Sequence, residues 1–127
     1  MEINIKLSNL LNINSVLKEI IENKDNVKSD SLFKFKLLTI MKSLEGHISN
    51  FEAVKNDKIQ EYGKPDEDGK IVVSPDDKEM FDKFVKDINE LLNSEVTINI
   101  HRLKAADVFD KGIDAEYLVK LYDIMEE

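Results

Sequence analysis

Polar and apolar residues alternate over positions 2–7 (EINIKL), with Ile3, Ile5 and Leu7 on one side, the period of a strand buried on one face. The period then lengthens. Leu10, Ile13, Leu17 and Ile20, with Val16 and Ile21 beside them, recur at helical spacing, so residues 9–23 are expected to form an amphipathic helix, with Asn14-Ser15 as a point where it could restart. The polar run ENKDNVKSDS reads as a connection. Asp30 or Ser31 can cap a second helix, whose apolar positions start with Phe33, Leu37, Ile40 and Leu44 and continue through Phe51 and Val54 toward Ile59 and Tyr62. A helix over residues 31–62 would rise about 48 Å, more than the width of a compact domain of this size. It must therefore bend, with Gly46 the residue of poorest helix propensity, or project.

Gly63-Lys64-Pro65 ends that helix, and DEDGKIVV predicts a turn followed by a short strand over 70–73. Ser74-Pro75-Asp76-Asp77 then reads as a helix start: Ser74 as cap, Pro75 in the first turn, and two aspartates at the positive end of the dipole. Met80, Phe81, Phe84, Ile88, Leu91 and Leu92, with Val85, form the apolar stripe of this helix. It should return antiparallel along the preceding one, as a hairpin with the acidic turn of residues 63–75 at its tip. EVTINI (95–100) goes back to strand period and matches EINIKL as a partner, with 70–73 as a candidate third strand. Tyr117, Leu118, Leu121, Tyr122 and Met125 complete the pattern as a closing helix capped by Asp114. The expected fold is α+β: mainly helical, with a long-helix antiparallel hairpin and a small two- or three-stranded antiparallel sheet. A single domain over 1–127 is expected, divided into a strand plus helix (1–30), the hairpin (31–93), and a strand plus C-terminal helix (94–127).

Composition supports a conventional core. Among 127 residues, 42% are apolar and 35% charged, too apolar for a disordered chain. There is no cysteine, which excludes disulfides, thiolate metal sites and cysteine nucleophiles. MEINIKL lacks the basic start and continuous apolar run of a signal peptide, and no window reaches the length of a membrane span. The expectation is a cytoplasmic protein with no membrane partner.

Candidate chemistry is sparse. An EF-hand calcium loop needs acids alternating toward a glycine and a bidentate acid six residues beyond it. With Gly69 in the glycine slot, Asp66 and Asp68 fit, but the first ligand position falls on Lys64 and the last on Pro75. Asp-Gly in a tight, solvated turn accounts for the same residues. His47 and His101 are the only histidines and stand apart, without the spacing of a zinc helix. The serines fit caps and solvent positions, none in a nucleophile elbow, and no glycine-rich loop could cradle a phosphate. No enzyme activity, cofactor or metal is expected.

Charge is the one lopsided feature. Residues 1–62 hold nine lysines and nine acids, whereas residues 63–127 hold nine bases and seventeen acids, so the second half carries the whole net charge of −8. That argues against tracking a nucleic-acid backbone, which requires clustered Lys and Arg, and no direct nucleic-acid contact is expected. It is the balance of a surface that keeps a protein in solution, and also of an acidic face that meets a basic partner. The candidate partner-binding residues are Asp66, Glu67 and Asp68 at the hairpin tip, and Asp76, Asp77, Glu79, Asp82, Asp87 and Glu90 along the following helix, all expected to be exposed. The long apolar stripe adds a second prospect, self-association through uncovered positions such as Phe51, Val54 and Ile59.

The segments QEYGKPDEDGKIVV and FVKDINELLNSEVTINIHRLKAADV, between an opening strand and helix and a closing acidic helix, resemble a family of small uncharacterised proteins encoded by tailed phages and prophages of low-GC Gram-positive and related bacteria. The resemblance covers nearly the whole chain and is strongest over 51–108. The family carries no catalytic residues to transfer. What the resemblance implies is a phage protein that acts by binding: a non-enzymatic inhibitor or modulator of a host protein, such as a CRISPR effector or another nucleic-acid-handling defence complex, acting in the host cytoplasm. The alternative is an accessory or assembly protein of the virion tail that works through helical oligomerisation.

Overall fold

Strand β1 (Glu2–Lys6) passes directly into helix α1 (Leu7–Asn23), in a computed structural model that describes residues 2–126. The helical spacing of Leu10, Ile13, Leu17 and Ile20 puts all four on one face, and each is wholly buried. Around that face pack α2 (Asp25–Lys28), α3 (Ser31–Tyr62), α4 (Lys78–Asn93) and α6 (Ala115–Lys120). The run ENKDNVKSDS is thus more than a connection. Its single apolar residue, Val27, is wholly buried and holds α2 against the core, and one valine carries no periodicity from which a helix could be read.

Helix α3 starts where Asp30 accepts the Phe33 N–H at 3.0 Å, the side-chain cap that its sequence predicts. It runs unbroken through Gly46, where a side chain would meet nothing within 4 Å. Phe33, Leu37, Ile40 and Leu44 are buried, Phe51 is the last buried residue, and the remaining turns extend beyond the core. At its end the Gly63 N–H bonds the Ile59 carbonyl at 2.7 Å. A Cβ on Gly63 would lie 2.4 Å from that carbonyl oxygen and 2.9 Å from the Val72 oxygen, so the chain can fold back here only with glycine.

The fold-back is a hairpin of β2 (Lys64–Pro65) with β3 (Ile71–Val72), turned at Gly69 with φ +82°. Residues 70–73 therefore do not join the main sheet: they are carried on the distal end of α3, where Lys64 and Pro65 are the backbone beside them. The start of α4 is also displaced from Ser74. The Asp77 N–H bonds the Ser74 carbonyl at 3.1 Å, closing a turn with Pro75 at its second position, and Asp77 is the residue that caps the helix. Two capping residues three positions apart sit in one sequence, and the proline suits the turn. No residue of α4 is fully buried, although Ile88, Leu91 and Leu92 pack against the core at its C-terminal end.

Strand β4 (Glu95–Asn99) pairs antiparallel with β1, Glu2 opposite Asn99, Asn4 opposite Thr97 and Lys6 opposite Glu95. Ile3, Ile5 and Ile98 are buried and Val96 is half-buried. The sheet has two strands. The C-terminal segment departs from a single closing helix. After β5 (Leu103–Lys104) and α5 (Ala105–Phe109), α6 stops at Lys120, a 3-10 turn follows over Tyr122–Ile124, and β6 (Met125–Glu126) pairs in parallel with β5. The tighter turn buries both Leu121 and Ile124 and leaves Tyr122 78% exposed. Asp114 precedes α6 without a side-chain cap bond; its carboxylate meets Lys24 at 3.3 Å. Among the described residues no helix is long and apolar enough to cross a membrane.

Ile98→Ala is expected to cost about 2–4 kcal/mol, and Thr97→Ala, one residue along on the exposed face, under about 1 kcal/mol. Urea unfolding of both variants checks the register; equal losses would contradict it.

Candidate functional site

The turns of α3 beyond Phe51, the β2–β3 hairpin and the first half of α4 form an arm that carries seven of the nine acids singled out from the sequence, while Asp87 and Glu90 follow in the second half of α4. Their surroundings divide them. Asp66 organises the turn: its Oδ1 accepts the N–H groups of Asp68 and Lys70, each at 2.9 Å, the local bonding typical of aspartate in turns. Asp77, expected to be exposed, is half-buried; its carboxylate caps α4 and meets Lys64 at 3.1 Å. Asp87 is likewise half-buried rather than exposed. It accepts the Tyr62 hydroxyl at 2.7 Å and lies 3.5 Å from the Lys58 ammonium, which pins α4 to the end of α3. Glu79 pairs with Lys83 one turn away at 3.3 Å.

The electrostatics follow from these contacts. The hydrogen bond from Tyr62, and then the charge of Lys58, hold the Asp87 carboxyl below the usual aspartate range. The same bond, helped by desolvation, pushes the Tyr62 hydroxyl up. Lys64, together with the Met80 N–H, lowers Asp77.

Glu67, Asp68, Asp76, Asp82 and Glu90 are exposed, with no partner for their carboxylates among the described residues. A helical step of about 100° per residue places Glu79, Asp82 and Glu90 on the outer face of α4 among Lys78, Lys83 and Lys86. Along that face the charges cancel. Within the arm the acid excess is thus concentrated at the tip, where Asp66 and Glu67 share a recess with Ser74 and Asp77, and where Glu67, Asp68 and Asp76 are the carboxylates left open; residues 94–127 carry the rest of the net negative charge. Such a tip can receive ammonium or guanidinium groups. Among the described residues no group of three His, Asp or Glu side chains converges as a metal site would require.

The uncovered apolar surface lies elsewhere than the sequence suggests. Phe51 is buried and Ile59 half-buried, and only Val54 of that trio is exposed. Leu32 and Phe35, each 66% exposed, stand at the opposite end of α3. Phe109, Val119 and Tyr122 line a groove beside β1. A cleft of about 470 Å³ also opens between α3 and residues 99–104, with Phe35, His101 and Arg102 in its wall. The one readable sign of the groove was Tyr122 itself, an aromatic whose neighbour Leu121 competes for the same burial.

Comparison with protein-family models, with curated proteins and with solved structures finds no match.

Because its carboxyl is depressed, Asp87 stabilises the fold fully above the ordinary aspartate value, and that contribution is lost as pH falls through its lowered value. Asp87→Asn should therefore melt below wild type at neutral pH, with a gap that narrows from about pH 4 toward pH 2. A gap that stays constant across this range would contradict the pairing.

Proposed function

We propose that this is a phage-encoded, non-enzymatic binding protein that inhibits or modulates a host protein, acting in the host cytoplasm through the acidic tip of its arm. Its target is a basic, nucleic-acid-handling surface, of the kind a CRISPR effector or similar defence complex presents. The observation that supports this reading most is the segregation of carboxylates. Those nearer the body hold the arm together, while Glu67, Asp68 and Asp76 at its end stand exposed without partners. The resemblance of QEYGKPDEDGKIVV to phage proteins supplies the setting. A role in virion assembly through helical contacts is the second reading, favoured by the exposure of Leu32 and Phe35 on α3.

Affinity purification of the tagged protein from infected host cells identifies the partner, and the triple reversal Glu67→Lys/Asp68→Lys/Asp76→Lys tests the site. Exposed acids contribute little to folding, so the melting temperature should hold. Association with the captured partner should slow by about tenfold or more, and wild-type binding should weaken as salt rises. Binding that survives both the reversal and high salt, but is lost in Leu32→Ala/Phe35→Ala, would contradict the acidic-tip reading and support assembly.

A further inference from the structure

Among the described residues, strand β1 is paired on one edge only. In an antiparallel ladder, pairs that exchange hydrogen bonds alternate with pairs that do not. The Leu7 N–H bonds the Ser94 carbonyl at 2.8 Å, so Ile5 with Val96 and Ile3 with Ile98 are the bonded pairs of this register. The backbone groups of Glu2, Asn4 and Lys6 consequently face away from β4. The same parity turns the Thr97 carbonyl to the outer edge of β4, where it accepts the His47 Nε2–H at 3.1 Å. On the β1 side no such bond fills the edge at Asn4 among the described residues.

That open edge has a sequence complementary to itself. We infer that two copies of this chain pair β1 against β1, antiparallel about a two-fold axis at Asn4, to build a continuous four-stranded sheet across the dimer. In this register Asn4 faces Asn4 of the second copy, Ile3 faces Ile5, and Glu2 faces Lys6. Every outward backbone group of Glu2, Asn4 and Lys6 gains a partner, and two carboxylate–ammonium pairs flank the axis. A shift by two residues sets Glu2 or Lys6 against Asn4 and loses both ion pairs, while in-register parallel pairing puts Glu2 beside Glu2. The charges thus select one register.

The groove beside the edge supplies apolar area for the same contact. Phe109, Val119 and Tyr122 stand 61%, 77% and 78% exposed there, next to Ile3, Asn4 and Ile5. A strand from the second copy laid along β1 covers the mouth of that groove, and an isologous contact buries both grooves at once. This surface is separate from the acidic tip, so the dimer stands or falls independently of the function proposed above.

Sedimentation equilibrium of the full chain, from micromolar to submillimolar concentration, tests the inference. Wild type should weigh as a dimer. Asn4→Pro removes an outward N–H, together with the side-chain oxygen that accepts the Thr97 hydroxyl at 2.6 Å, leaves the backbone bonds to β4 in place, and should raise the dimer dissociation constant about tenfold or more. Glu2→Lys and Lys6→Glu should each weaken the dimer, and the combined swap should restore it to within about threefold of wild type, because opposite charges face each other again. If Asn4→Pro perturbs the fold by circular dichroism, the three charge variants decide alone. A monomer at all concentrations, a dimer indifferent to these substitutions, or a double swap no better than the single ones overturns the proposal.

Discussion

The burial of one face of α1 is the constraint on which the other elements depend. Its four central apolar side chains have no exposed surface, and full burial of such a side chain contributes about 1.5–3 kcal/mol. Helices α2, α3, α4 and α6 and strand β1 all lie against it. Its length also sets how much of α3 can be covered. The 17 residues of α1 against the 32 of α3 correspond to about 25 Å against about 48 Å. The last turns of α3 therefore run past the core, and an arm results from simple mismatch of length.

What holds the arm together differs in kind from what holds the body. No residue of α4 is fully buried, and the joint with α3 relies on Tyr62, Asp87 and Lys58, with Lys64 and Asp77 nearer the tip. Ion pairs this accessible to solvent contribute little stability. They do fix geometry: Gly63 permits the fold-back, Asp66 shapes the turn, and the remaining carboxylates are presented beyond it. The proposed site is thus a consequence of which acids the arm uses for its own architecture and which it leaves over.

Strongly periodic segments were legible in the sequence. Residues 31–62 and the pairing of EINIKL with EVTINI follow from spacing alone, because amphipathic periods of 3.6 and 2 report directly on a buried face. The single valine of α2 offered no period, and the Ser74-Pro75-Asp76-Asp77 segment contained two competing caps. The end of the chain departs from the single helix its spacing suggests because Leu121 and Ile124, three residues apart, are buried by a tighter turn than an α-helix makes. For the candidate site, position along the helix was readable while partnership was not. Asp77 and Asp87 look like any other acid of the stretch, and only the approach of Lys64, Lys58 and Tyr62 from α3 and the hairpin removes them from the exposed set.

The division into a body organised by α1 and an arm without buried residues is tested most directly by native-state hydrogen exchange resolved by residue. Amides of α1 and of the first half of α3 should exchange only through global unfolding, at the stability measured by urea. Amides of β3 and of Lys78–Lys86 in α4 should exchange through a smaller opening, at lower free energy and with little denaturant dependence. Equal protection of α4 throughout its length and of α1 would contradict the account.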